Sequence, residues 1–230
     1  MTACFVTGTD TEVGKTAVTA GLAHLGGQAG WRTVAVKPVA AGQEWVNGRW
    51  VNDDVRRLRA AASVPLDEAQ VGPCQLRTPC APHIAARLEG VAIDRAPLLE
   101  AVRSTLALGE LGFVEGVGGF RVPLTQGWDT ADLATDLELP VILVVGLRLG
   151  CLNHALLTAE AVRARGLRLA GWVANTVDPA MPHLDDNLAA LSSGLEAPCW
   201  GCVPRLEAPT PAAVAAHLRL EALRNALELP

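Results

Sequence analysis

A doubly wound, mainly parallel α/β sheet is the fold class this sequence predicts, on three observations. Short apolar runs rich in β-branched residues alternate with longer amphipathic segments, the pattern of parallel strands covered by helices on both faces. The first run passes directly through a glycine-containing turn into a helical segment. Half of the 230 residues are hydrophobic and only 19% are charged, enough apolar surface for a substantial interior.

Six apolar runs read as strands, in order residues 3–8, 33–39, 112–115, 141–146, 170–175 and 199–203. Eight amphipathic segments read as helices: 15–29, 53–62, 83–88, 96–108, 130–137, 153–165, 182–191 and 212–227. Residues 41–50, with Gly42, Asn47 and Gly48, read as a surface loop. No repeat, low-complexity tract or linker divides the chain, so residues 1–230 are expected to form a single domain.

The net charge of −5 offers no basic field for a nucleic acid, and none is expected as a partner. The longest apolar stretch, 141–147, stops at Arg148, too short to span a bilayer. The first residues lack a basic leader, so a cytoplasmic protein is expected. Its six cysteines (Cys4, Cys74, Cys80, Cys151, Cys199 and Cys202) are then expected as free thiols.

The turn after the first strand is Gly8-Thr9-Asp10-Thr11-Glu12-Val13-Gly14-Lys15-Thr16. A glycine-rich loop between strand and helix presents backbone N–H groups and the positive end of the helix dipole to a phosphate. Lys15 would neutralise β- and γ-phosphate charge, and the Thr16 hydroxyl could ligate Mg²⁺. This makes the fold class that of P-loop nucleoside triphosphate hydrolases. One detail departs from the usual pattern: five residues, not four, separate Gly8 from Gly14.

Further polar residues fall at the ends of expected strands. Lys37 interrupts 33–39 just before Pro38, and is either a snorkelling edge lysine or a cation aimed at the phosphate site. Glu115 ends its strand before Gly116-Val117-Gly118-Gly119 and could hold Mg²⁺ directly or through water. Asp54 could supply a second carboxylate or simply stabilise the start of its own helix. Asn175 could pair with an adenine edge or form a turn. Cys199-Trp200-Gly201-Cys202 has redox or metal spacing without a second pair or a histidine cluster, and reads as strand cysteines.

With these residues in view, the chain resembles the dethiobiotin synthetase family from end to end. The resemblance rests on Phe5-Val6-Thr7 with the longer loop that follows, on Lys37-Pro38-Val39-Ala40, and on Val114-Glu115-Gly116-Val117-Gly118-Gly119. It extends through Pro140-Val141-Ile142-Leu143-Val144-Val145-Gly146, Leu149-Gly150-Cys151-Leu152-Asn153-His154-Ala155 and Leu169-Ala170-Gly171-Trp172-Val173-Ala174-Asn175. It implies a homodimer that uses MgATP and CO₂ to close a cyclic urea on 7,8-diaminononanoate, releasing ADP and phosphate. By the same resemblance Thr11, Lys15 and Lys37 are catalytic, and Thr16, Asp54 and Glu115 bind the metal. Nucleotide contacts would come from Glu12, Val13, Gly14, Lys15, Thr16, Ala17, Asp54, Glu115, Gly116, Val117 and Gly118, with Asn175, Thr176, Pro204, Arg205 and Leu206 on the adenine side. Lys37, Ala41, Gly150, Cys151, Leu152 and Asn153 would meet the substrate, the last four across the dimer interface. Ala41 departs from the family, which usually carries serine there.

Two other readings compete. A cobyrinic acid synthase-like amidoligase shares this kind of P-loop domain but usually carries a glutamine-hydrolysing domain, for which 230 residues leave no room. A partitioning-type ATPase switch has an additional lysine at the loop position held here by Asp10.

Overall fold

The computed structural model describes residues 2–229. In chain order the elements are β1 (Thr2–Gly8), α1 (Lys15–Gln28), β2 (Thr33–Val36), β3 (Val39–Ala41), β4 (Glu44–Val46), β5 (Arg49–Val51), α2 (Asp53–Ala61) and α3 (Glu68–Val71). There follow β6 (Cys74–Leu76), α4 (Pro82–Glu89), α5 (Arg95–Leu106), β7 (Leu111–Glu115), β8 (Pro123–Thr125), β9 (Trp128–Asp129) and α6 (Thr130–Leu137). The last third contains β10 (Val141–Leu147), α7 (Cys151–Ala164), β11 (Leu169–Thr176), α8 (Leu184–Gly194), β12 (Cys199–Val203), α9 (Pro211–Ala215) and α10 (Leu220–Leu227).

The main sheet is parallel, with strand order β12-β11-β10-β1-β7-β2. From β1 the chain runs to the β2 edge, returns through β7, then crosses to β10 and proceeds outward to β12. The order therefore turns around β1, and in such sheets ligands collect beyond the carboxyl ends of the strands near that turn. All seven residues of β10 and all five of β7 are buried, as expected of strands covered on both faces.

The expected strand 33–39 is two strands in different sheets. β2 ends at Val36, and Pro38, with no N–H to donate, cannot continue the ladder. The Lys37 N–H instead donates to the Val71 carbonyl at 2.7 Å, and β3 pairs with β6 in a small sheet of its own. Most of the expected loop 41–50 is instead the β4–β5 hairpin, which runs on to Val51 and turns at Asn47 (φ 50°) and Gly48 (φ 81°), the positive-φ Asn-Gly pair a tight hairpin favours. Trp45 and Trp50 face each other across it, ring centroids 5.3 Å apart.

The expected helix 212–227 is broken into α9 and α10. Between them Leu218 forms a bridge with Gly201, and the Arg219 N–H donates to the Trp200 carbonyl at 2.7 Å. A Cβ on Gly201 would lie 2.2 Å from the His217 carbonyl oxygen, so this approach requires glycine. That explains the Cys199–Cys202 segment as an edge of the fold, and all six cysteines are free thiols. The short elements α3, β6, β8 and β9 carry too little periodicity to be read from sequence. Among the described residues no helix is long and apolar enough to cross a membrane.

Candidate active site

The loop after β1 is held from three sides. Glu12 (φ 57°) and Gly14 (φ 89°) both take the left-handed conformation, which turns the chain into α1. Between them the buried Val13 side chain fills a notch: a Cβ on Gly8 would meet its Cγ2 at 2.6 Å, and one on Gly146 its Cγ1 at 2.7 Å. Asn175 Nδ2 donates to the Val13 carbonyl at 2.9 Å. On the other flank Asp10 accepts from the Thr11 N–H at 2.8 Å and pairs with Arg148 at 2.5 Å. Lys15 folds back, its Nζ donating to the Asp10 carbonyl at 2.8 Å. Asp10, where the partitioning class carries lysine, is thus committed to a cation.

α1 has no side-chain cap and no acidic residue in its first turn, so nothing from its own sequence satisfies the N–H groups that a phosphate would take. Burial pushes the Lys15 ammonium down to about 8, and the neighbouring Lys37 charge adds to this against the opposing pull of Glu115.

Beside the loop lies a compact charged network. Glu115, fully buried, ends β7, and Lys37, 4% exposed, follows β2, whose Val36 pairs with Val114. Lys37 Nζ is 2.6 Å from both Glu115 Oε1 and Asp54 Oδ2. The Thr16 hydroxyl donates to the same Glu115 oxygen at 2.7 Å. Burial by itself would lower the Lys37 pKa, but the attraction of Glu115 and then Asp54 outweighs it and the group is raised. Burial would likewise raise Asp54, but the Lys37 charge and hydrogen bond hold it below the usual carboxylate range. Asp54 also occupies the first turn of α2, which Asn52 caps through the Val55 N–H at 3.1 Å. Asp54 thus stands where an acid stabilises the start of its own helix and at the same time pairs with Lys37.

These donors suit a hard divalent cation. Two carboxylates and a hydroxyl converge, and Glu115 Oε2 is a buried acceptor with no hydrogen-bond partner. Mg²⁺ keeps several waters and binds through one or two carboxylates plus substrate phosphate, so this partial set fits it better than a closed protein cage.

A cavity of about 480 Å³ opens over the network and the loop. Thr11, Glu12, Gly14, Lys15, Thr16, Ala17, Lys37, Ala41, Asp54, Val117, Gly118, Asn175, Thr176, Pro204, Arg205 and Leu206 all line it. Val13, Glu115 and Gly116 do not: the first plugs the notch, the second reaches the site only through Lys37 and Thr16, and Gly116 packs against the Phe5 ring. Gly150, Cys151, Leu152 and Asn153 stand apart from the cavity, at the start of α7. That helix begins at Cys151, two residues earlier than expected, because Gly150 in the left-handed conformation (φ 93°) is its cap. Sequence reading missed Arg57, Glu207 and Pro209, which also line the cavity. Arg57 was within reach, one helical turn beyond Asp54.

A family model described as an AAA domain matches residues 2–213. An ATP-dependent dethiobiotin synthetase BioD from Janthinobacterium sp. (strain Marseille) is 55% identical over 226 residues, 96% of each chain. The chain belongs to the dethiobiotin synthetase family. Its relative from Pseudomonas aeruginosa (strain UCBPP-PA14), of the same name, is 55% identical over 97% of this chain and 98% of its own. The protein is accordingly an ATP-dependent ligase of biotin biosynthesis. Among solved structures, the cell division ATPase MinD from Pyrococcus furiosus superposes with a TM-score of 0.61 over 99% of both chains at 18% identity, a likeness of P-loop fold alone.

Proposed function

We propose that the cavity seats MgATP with its phosphates on the α1 N-terminus, and that a carbamate of 7,8-diaminononanoate is phosphorylated there. The observation that carries this is the convergence of Lys15, Lys37, Thr16, Asp54 and Glu115 beneath one cavity at the carboxyl ends of β1, β2 and β7. CO₂ joins one substrate amine as a carbamate with loss of a proton. A carbamate oxygen then attacks the γ-phosphorus, ADP leaves, and the second amine displaces phosphate to close the urea ring. Such phosphoryl transfer asks the protein for positioning and positive charge.

Lys15 would release the Asp10 carbonyl to meet the β- and γ-phosphates. Lys37 would carry its charge from the carboxylate pair to the transferring group, and Thr11 would orient the carbamate. Thr16, Asp54 and Glu115 would hold Mg²⁺, which when bound neutralises phosphate charge. The Asn175 oxygen, with its Nδ2 engaged by Val13, is left to accept from the adenine amine, with Thr176 and the 204–206 segment beside it. Val117 and Gly118 flank the phosphates and Ala41 the substrate.

Exposed leucines before and along α7 support a homodimer: Leu149, just ahead of the helix, is 92% exposed and Leu157, midway along it, 56%. Paired against a second copy, the N–H groups at Gly150, Leu152 and Asn153 would receive the substrate carboxylate, with Cys151, whose own N–H donates to the Arg148 carbonyl at 3.0 Å, set between them. A single domain acting in the cytoplasm completes the proposal.

Phosphate release tests it. Turnover should require diaminononanoate and bicarbonate together, with one phosphate formed per dethiobiotin; turnover driven by glutamine or DNA would contradict the reading.

A further inference from the structure

The cations around the cavity are unequally committed. Lys37 is matched by two carboxylates, whereas Arg56 and Arg57 share one. Arg57 Nε lies 2.6 Å from Asp53 Oδ2, and Arg56 takes Asp53 Oδ1. Two guanidiniums on one carboxylate leave the trio of Arg56, Arg57 and Asp53 with a net positive charge. Arg57 can therefore leave Asp53 without stranding an unpaired acid. All three side chains are about half exposed or more, so water screens the pair and little holds Arg57 in place.

The two arginines differ in what they face. Arg57 lines the main cavity together with Thr16 and Ala17, and also an adjoining groove of about 330 Å³ between α1, α2 and residues 208–211. Arg56 lines that groove and a recess beside the β4–β5 hairpin, but not the main cavity. Thr16 and Ala17 form the first turn of α1, where a phosphate would be received by backbone N–H groups. A planar guanidinium beside that turn matches phosphate oxygens with two parallel donors.

We infer that Arg57 is a further phosphate ligand of the nucleotide, exchanging Asp53 for a phosphate oxygen while Arg56 keeps Asp53 paired. The inference rests on the seating of the nucleotide proposed above. It assigns a binding role to an arginine that looks like one member of a surface ion pair.

Calorimetric titration of the full chain with ADP tests it. Arg57→Gln should weaken ADP binding about tenfold, the scale of one charge-assisted contact, with Arg57→Lys intermediate. Arg56→Gln removes the same charge one residue away and should change the affinity less than about threefold, as expected of a screened field. Wild-type affinity in Arg57→Gln, or an equal loss in Arg56→Gln, would overturn the assignment. Lys15→Gln separates the two levels of the proposal. If that variant also binds ADP normally, the seating of the nucleotide is wrong; if it weakens binding while Arg57→Gln does not, only the role of Arg57 fails. Both arginines are exposed, so melting temperatures should stay near wild type.

Discussion

α1 and α7 begin alike and end up in different surroundings. Each is 14 residues long, follows one of two paired strands of the sheet, starts after a left-handed glycine, and has neither a side-chain cap nor a first-turn acid. Around α1 the chain gathers two buried lysines, two carboxylates that pair with Lys37, and an enclosing cavity. Around α7 it supplies Arg148, already engaged by Asp10, and exposed leucines. On our proposal, the same helix start is a self-sufficient phosphate site in one place and a half-site completed by a second subunit in the other. An uncapped helix end is thus only an opportunity; the neighbouring strands decide its use.

Two glycine substitutions separate the sites. A Cβ on Gly14 would lie 2.2 Å from Asn175 Nδ2, and the residue sits at φ 89°. Gly14→Ala should therefore misplace the loop by an ångström or so and lower kcat/KM for ATP about 100-fold. Gly150 has a similar φ of 93°, but nothing lies within 4 Å of an added Cβ. Gly150→Ala should cost only about 1–2 kcal/mol of backbone strain. Its ATP affinity should be unchanged and its KM for diaminononanoate raised. Steady-state kinetics on both variants would break the comparison if the two behaved alike.

The Lys15 ammonium supplies a pH signature found only at α1. With its folded pKa down at about 8 and the unfolded value at 10.5, the folded chain binds fewer protons between those limits. The stability penalty of burying the charge is therefore full below pH 8 and relieved as pH rises towards 10.5. Nucleotide phosphate restores the charge, so ATP binding above pH 8 should take up a proton and weaken by up to about tenfold per pH unit. Calorimetry at pH 9 in buffers of different ionisation enthalpy measures that uptake, and its absence would remove Lys15 from the phosphates.

The smallest expected effect concerns substrate. Ala41→Ser restores a hydroxyl at the cavity wall and should lower the diaminononanoate KM about fivefold, equivalent to about 1 kcal/mol. An unchanged KM would show that no contact is missing.

Much of this was legible in the sequence because the parallel strands are continuous apolar runs and the loop motif is local. β12 and α6 fall at the expected boundaries, and the other main strands within a residue or two except at Pro38. Legibility ended where long-range pairing decides. Nothing local shows that β3 leaves the main sheet for β6, or that Leu218 docks on Gly201 and splits the last helix. In the site, the expectation for Lys15 and Thr16 follows from spacing, and both line the cavity. The network of Lys37 with Asp54 and Glu115 does not, because it joins residues separated in sequence that come from two neighbouring strand ends and the first turn of α2. Nor could sequence show that Val13, expected to touch nucleotide, is the plug that fixes the longer loop.

On our proposal, the network around Lys37 acts on a transferring phosphoryl group, not merely as an internal ion pair. Lys37→Gln tests it most directly, with kcat and the ATP dissociation constant measured on the same folded preparation. kcat should fall about 100- to 1,000-fold, the usual loss on removing one charge-stabilising donor, with the dissociation constant within about threefold of wild type. An equal loss in nucleotide affinity, with kcat at saturating ATP preserved, would contradict it.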